Sequence, residues 1–302
     1  MAVTLSPPLT HRALALLELA RPTHWIKNAF VLAPLIFAGA FNSLPAVLQA
    51  LGAMALFCLA SSATYVFNDL RDAANDRAHP TKRLSRPIAA GRVSPTAAKV
   101  LLVALYGSLL AAWGLHPMAA LTIYAYLALN IAYSLKLKSV PVVDLFCISL
   151  GFMLRVYAGA WAIGVPVSSW MLITTLSLSL YLATIKRRQE LLATDGASRA
   201  VLGAYTAPLL ERYAQLAATS AIVFYGLFIT TVRPMLAVTV PLVMFGLFRY
   251  WYIVESRSEG ENPTDVVWHD APLIIAILAW GSLSMAVILI NSGQLPPGWL
   301  PG

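Results

Sequence analysis

The sequence predicts an all-α, polytopic membrane protein with nine transmembrane helices. Three observations carry this reading. Of the 302 residues, 59% are hydrophobic and 11% are charged, whereas soluble domains carry about 25% charged residues. The mean hydropathy is +0.73. Apolar stretches recur along nearly the whole chain, each close to the ~20 residues that a helix needs to cross a bilayer. Nine such spans use about 180 residues, and what is left is too short for a separate soluble domain. Residues 1–302 are therefore expected to form a single membrane domain.

Residues 1–23 read as a cytoplasmic interfacial helix, because the run 13–17 is too short for a signal-peptide core and Arg12, Glu18 and Arg21 flank it. The apolar windows then fall at 24–41, 46–67, 96–114, 117–135, 141–163, 168–185, 215–232, 235–253 and 272–291. The first is the shortest in purely apolar length, 29–41, and needs Trp25 and a snorkelling Lys27 to reach the interface. Without it the N-terminus would change sides.

Orientation follows from the basic residues, which favour cytoplasmic loops. Of the 21 Lys and Arg residues, 19 fall on one side; the opposite loops hold only Arg233, and Arg155 lies inside a span. The expected topology is a multi-pass protein of the inner (plasma) membrane with a cytoplasmic N-terminus and an external C-terminus. All 13 acids lie on or near the same face, so polar chemistry is expected at the cytoplasmic mouth, in the segments 68–95 and 186–214. Cys58 and Cys147 sit in apolar runs as small hydrophobes, with no disulfide framework and no Cys/His metal spacing. The bilayer is the one macromolecular environment implied. No nucleic-acid partner is expected, and association into a homo-oligomer stays open.

The strongest chemical signal is the run Asn68-Asp69-Leu70-Arg71-Asp72-Ala73-Ala74-Asn75-Asp76, which continues the second span without a break. At about 100° per residue, Asn68, Asp72, Asp76 and Asp69 fall near 0°, 40°, 80° and 100°, within roughly one quadrant. Carboxylates gathered on one face repel and are costly beside a membrane unless cations occupy them. Hard oxygen ligands that leave room for water suit Mg²⁺ carrying a substrate diphosphate. The plainer reading is a solvated helix end.

A basic loop follows, with Lys82, Arg83 and Arg86 inside His79-Pro80-Thr81-Lys82-Arg83-Leu84-Ser85-Arg86-Pro87-Ile88-Ala89-Ala90-Gly91-Arg92. An N-D-x-x-D-x-x-x-D array ending a second span, followed by R-P-[IL]-x-x-G, resembles the UbiA superfamily of intramembrane prenyltransferases. That resemblance implies a nine-helix bundle that binds a diphosphate bridged by Mg²⁺. Further segments are similar to the polyprenyl-phosphate (decaprenyl-phosphate) phosphoribosyltransferases within it: Arg21-Pro22-Thr23-His24-Trp25-Ile26-Lys27-Asn28; Tyr133-Ser134-Leu135-Lys136-Leu137-Lys138 with Asp144, Gly151 and Arg155; and Lys186-Arg187-Arg188-Gln189-Glu190-Leu191. The implied activity is transfer of the 5-phosphoribosyl group of phosphoribosyl pyrophosphate (PRPP) to a polyprenyl phosphate. Such a step leads toward lipid-linked arabinose donors for arabinan and other cell-envelope (cell-wall) glycans.

The residues at the sixth span's cytoplasmic end weigh on that choice. Ordinary UbiA prenyltransferases are expected to present a second aspartate-rich motif there; this chain presents Lys186, Arg187 and Arg188, with Glu190 and Asp195 nearby. Cations favour phosphate groups and oppose an allylic carbocation. For Arg187 and Arg188 a plain positive-inside role stays open. Arg155, in mid-span, is eleven residues after Asp144, which places the two on about the same helix face with Gly151 between them. It either extends a polar seam into the bilayer or bonds structurally to carbonyls. Asn130, Tyr133, Lys136 and Lys138 bring donors to the fourth span's cytoplasmic end, with Tyr133 equally readable as an interfacial aromatic. Lys27 and Asn28 are similarly placed to hold the lipid phosphate.

The expected reaction therefore uses Asn68, Asp69, Asp72 and Lys186 as catalytic groups, with Asn68, Asp69, Asp72 and Asp76 on Mg²⁺. Lys27, Asn28, Lys82, Arg83, Arg86, Tyr133, Lys136, Lys138, Asp144, Arg155, Arg187 and Glu190 are expected to bind substrate. The rival enzyme is a UbiA-type transferase that moves a prenyl group onto an aromatic or haem acceptor. A transporter or scaffold would explain the spans but not an acidic quadrant adjoining a basic loop.

Overall fold

The structure, a computed structural model, describes residues 9–78, 82–194, 200–257, 266–267 and 269–291. The motif residues His79, Pro80, Thr81 and Asp195 lie outside the described residues. All regular structure among the described residues is helical. The chain runs through α1 (Leu9–Ala20), a 3-10 segment (Pro22–Leu32), α2 (Ala33–Phe37), α3 (Leu44–Ala78), α4 (Lys82–Ser85), α5 (Pro95–Ser108), α6 (Ala112–Leu115) and α7 (Pro117–Leu135). It continues with α8 (Val143–Ala162), α9 (Ser169–Thr194), α10 (Ala207–Val232), α11 (Val240–Arg257) and α12 (Ala271–Asn291).

Local chemistry explains the starts. Ser94 before Pro95 and Thr206 before Ala207-Pro208 accept the backbone N–H of Ala97 and Leu209 at the first turns of α5 and α10. His116 does the same for Met118 ahead of Pro117. Each pairs a side-chain acceptor with a proline whose missing N–H costs nothing in the first turn. Among the described residues, seven segments are long and apolar enough to cross a membrane: α3, Pro95–Leu115, α7, α8, α10, Pro234–Ser256 and α12. The sixth expected span is the 26-residue α9, whose many Ser and Thr residues dilute its apolar character. The first expected span, 24–41, is not a continuous α-helix. Pro34 has no N–H to donate, and the chain enters from Arg21 in the left-handed region at φ 53°. The segment instead runs as 3-10 turns into the short α2.

The core forms between chain neighbours. Phe57 of α3, Ile123 and Tyr126 of α7, and Ala158 of α8 form one buried cluster, with Val31 of the 3-10 segment. Tyr181 of α9, Ala214 of α10, Tyr250 and Ile253 of α11, and Leu273 of α12 form another. Val156, Phe228, Leu236 and Ile288 join the two groups at the other end. Large apolar side chains such as Leu48, Val103, Leu110, Phe248 and Leu278 are exposed on the outside, as lipid-facing surfaces require, because lipid and core are equally apolar. Enclosed within this ring is a cavity of about 1160 Å³.

Candidate active site

The cavity has a polar end and an apolar end. The acidic quadrant lies at the polar end: Asn68, Asp69, Asp72, Asn75 and Asp76 all line the wall. Facing it are Arg21, Lys27, Lys82, Arg86, Lys138, Lys186 and Arg187. Phe30, Phe37, Phe152, Leu178, Phe228 and Trp280 belong to the apolar end. Thr174, Thr175 and Ser179 of α9 also line the wall. Their hydroxyls bond back to the carbonyls of Trp170, Met171 and Thr175, so they leave no donor unsatisfied against an apolar ligand.

The helical spacing brought the acids together as expected, and tertiary packing then surrounded them with cations. Asp69 is 3% exposed. Its Oδ1 accepts from Arg21 at 2.5 Å and from Arg86 at 2.8 Å, while its Oδ2 is buried with no hydrogen-bond partner. Asp72, half-buried, stands 3.4 Å from Lys138. Asn68 accepts from Ser134 of α7. A buried carboxylate oxygen without a partner is costly, and here it adjoins a set of hard oxygen donors. The residues fit a divalent cation such as Mg²⁺. Among the described residues no three carboxylate, imidazole or thiol groups enclose a metal position by themselves. A cation here would therefore draw its other ligands from substrate phosphates and water, as Mg²⁺ commonly does.

Several expected substrate contacts stand behind the wall instead. Asn28 is fully buried and donates to Cys58 Sγ and Ser61 Oγ. Its own oxygen accepts from Arg155 Nε at 2.8 Å. Arg155 also donates to the Gly151 carbonyl and to Tyr126 Oη, and its guanidinium packs against the rings of Phe57, Tyr126 and Phe152. Of the two readings of Arg155, the structural one describes its contacts. Asp144 is fully buried beneath Arg187, whose Nε donates to it at 2.8 Å. Arg187 further donates to Glu190 at 2.7 Å and to Tyr133 Oη at 2.8 Å. Thus Arg187 reaches the cavity with its charge already balanced, and Glu190, Asp144, Asn28 and Arg155 do not line it.

Arg83 and Lys136 are exposed and are not brought to the cavity either. Lys136 follows the last residue of α7, where the backbone leaves the helix, and it is Lys138, two residues on in a 3-10 turn, that faces the acids. Arg188 pairs with Glu255 at 2.8 Å. Of the three consecutive cations in α9, Arg187 and Arg188 are paired with Asp144, Glu190 and Glu255, and Lys186 and Arg187 line the cavity.

Among the wall residues that the sequence-based site missed are Arg21, His24, Tyr65, Ser134 and Asn75. Arg21 had a local signal, standing before Pro22 at the head of a matching segment. Ser134 had only its position on the polar side of α7. Strain marks this region as well. Among the described residues, Arg21 and Val142 are the non-glycine residues with positive φ, 53° and 68°, and they open the 3-10 segment and α8 respectively.

A model of the UbiA prenyltransferase family matches residues 29–269. The chain is 35% identical over 294 residues to a decaprenyl-phosphate phosphoribosyltransferase of Mycolicibacterium smegmatis, covering 90% of this chain and 92% of that one. It is 37% identical over 272 residues to the protein of that name from Mycobacterium tuberculosis, covering 86% and 89%. Its fold is similar to that of a UbiA homologue from Archaeoglobus fulgidus bound to GPP and Mg²⁺, with a TM-score of 0.69, 22% identity, and coverage of 91% of this chain and 99% of that one. Matched by the family over most of its length and built on the same fold, this multi-pass membrane chain belongs to the UbiA prenyltransferase family.

Proposed function

We propose that this protein transfers the 5-phosphoribosyl group of PRPP to a polyprenyl phosphate of the decaprenyl type, releasing pyrophosphate. The observation that carries the reading is one continuous cavity in which an acidic quadrant faces a ring of Lys and Arg, with an aromatic and aliphatic chamber beyond. The substrates call for both regions: PRPP carries phosphates on C1 and C5 of its ribose, and the lipid joins a phosphate to a long apolar chain. The relatives named decaprenyl-phosphate phosphoribosyltransferase support it at 35% and 37% identity.

In this reading the bond from the anomeric carbon to the pyrophosphate oxygen breaks, and a bond forms from that carbon to an oxygen of the lipid phosphate. The lipid phosphate is already anionic at neutral pH, so the protein need supply no general base. Asn68, Asp69, Asp72 and Asp76 would hold Mg²⁺, which when bound neutralises charge on the departing pyrophosphate. Arg21, Arg86 and Lys138, which pair with Asp69 and Asp72, would bind phosphate oxygens of the substrates. Lys186 and Lys27 contribute cations from α9 and the 3-10 segment. Positioning and electrostatics supply the catalysis. The polar mouth is assigned to the cytoplasmic side of the inner membrane on the 19-to-1 distribution of basic residues.

Purified protein given Mg²⁺, PRPP and polyprenyl phosphate should form a prenyl-linked phosphoribose, and a chelator should abolish it. The same protein given geranyl diphosphate and an aromatic acid should form nothing. Product only in the second mixture would assign prenyl transfer instead.

A further inference from the structure

The stretch 200–206, ahead of α10, packs against the bundle. Its 3-10 segment, Ala200–Ala204, is followed by Tyr205, and Val201 and Tyr205 are buried against Leu145 of α8, Ala183 of α9 and Leu210 of α10. Val201 also contributes to the cavity wall. The Tyr205 side chain is 5% exposed, and its hydroxyl is fully used: it accepts the backbone N–H of Val142 at 2.5 Å and donates to Asp144 Oδ1 at 2.7 Å.

These partners begin a buried chain of contacts that ends at the cavity. Asp144 Oδ2 accepts from Arg187 Nε at 2.8 Å, and Arg187 donates through Nη2 to Tyr133 Oη at 2.8 Å. Because Arg187 occupies a lone pair of the Tyr133 oxygen, the phenolic proton of Tyr133 is left for an acceptor in the cavity that Tyr133 lines. Phosphate oxygens are such acceptors. Arg187 can hold this orientation only while its own plane is fixed, and Asp144, clamped from the far side by Tyr205, fixes it. Val142, at the head of α8, has φ 68°, a left-handed backbone that a β-branched residue rarely adopts. Tyr205 stabilises it through the bond to its N–H. Burial raises the pKa of the Tyr205 phenol above its usual value, which keeps it a donor at any working pH.

We propose that Tyr205 is a positioning residue for the diphosphate-bearing sugar substrate, acting through Asp144 and Arg187 to set the Tyr133 hydroxyl at the cavity wall. The proposal rests on the phosphoribosyl-transfer reading, and its test separates the two. PRPP binding to the full-length protein is measured first, by calorimetry in detergent. Steady-state kinetics with PRPP and polyprenyl phosphate then compare the wild type, Tyr205→Phe, Tyr133→Phe and the double variant.

Coupled groups in one network interact by enough to expect at least about a twofold effect. Tyr205→Phe should raise KM for PRPP by that factor and leave KM for the lipid phosphate unchanged. The double variant should be no worse than Tyr133→Phe. A loop that merely supports the fold would instead lower kcat through the active fraction, leave both KM values alone, and add independently to Tyr133→Phe; that pattern overturns the proposal. Should Tyr205→Phe not fold, the same four-way comparison in a Val142→Gly background, where the left-handed backbone carries no strain, gives the answer. A wild-type protein that binds no PRPP overturns the substrate reading, and this proposal with it.

Discussion

Asp69 and Asp72 share one helix quadrant but stand in different surroundings, and their substitutions should separate accordingly. Asp69 is 3% exposed and pairs with two arginines. Asp69→Asn leaves both guanidinium groups short of a counter-charge in a largely buried site, where removing one partner of an ion pair costs about 3–5 kcal/mol. Asp72 meets Lys138 at 3.4 Å at the half-exposed cavity edge, and such a pair contributes about 0–1 kcal/mol. Both variants are expected to lose turnover, since each removes a hard anionic oxygen from the acidic wall. Only Asp69→Asn should also lower the melting temperature in detergent by several degrees. Equal melting temperatures would contradict the ion-pair geometry, and full turnover in either variant at saturating Mg²⁺ would contradict the metal assignment. The acidic quadrant was legible in the sequence because four residues of one helix obey a fixed 100° step. The Asp144–Arg187 pair was not, because its members lie 43 residues apart on two helices and each has a plausible role alone.

Among the elements, the 3-10 segment Pro22–Leu32 departs furthest from what the sequence predicts, and its position depends on α8. It lies so close to that helix that a Cβ added at Gly159 would come 1.8 Å from the Val31 carbonyl oxygen. Asn28, three residues before Val31, is tied to Arg155 on the same helix. Lys27, on the cavity wall, is carried by this segment. Gly159→Ala must therefore displace the segment, and it should reduce both stability and turnover. At Gly226, inside α10, nothing lies within 4 Å of an added Cβ. Gly226→Ala should leave activity unchanged and stability equal or higher by up to about 1 kcal/mol, from helix propensity. Unfolding curves and turnover for the two variants check this. A harmless Gly159→Ala would refute the close approach. Hydropathy marks 24–41 as the weakest expected span, because its purely apolar part runs only over 29–41, but not its form; the 3-10 turns and their packing against Gly159 are visible only in the structure.

For the whole molecule, the asymmetry of charge makes the boldest claim. In the expected topology nineteen of 21 basic residues and all 13 acids belong to one face, and Arg21, Asp69, Asp72, Lys138 and Lys186 from those segments line the cavity. A reporter fused after residue 302 should read external, and one inserted near residue 198 should read cytoplasmic. Two cytoplasmic readings would mean that an odd number of the three expected crossings between residues 198 and 302 does not occur. That topology also places the docked turn carrying Tyr205 on the side where a soluble sugar phosphate arrives.

By itself the sequence determined the class of protein, the identity of most membrane segments and the acidic quadrant. These depend on properties that are local or additive along the chain: transfer of apolar length into lipid and the helical angle. Only the tertiary structure decided which charges remain for a ligand. Arg187 and Arg188 look equivalent to Lys186 in the sequence, yet their glutamate and aspartate partners take up their charge, and Arg155 turns from a candidate ligand into a clamp on Asn28. In a low-dielectric interior each ion is governed by the groups within a few ångströms of it, and those neighbours are set by how helices distant in sequence pack.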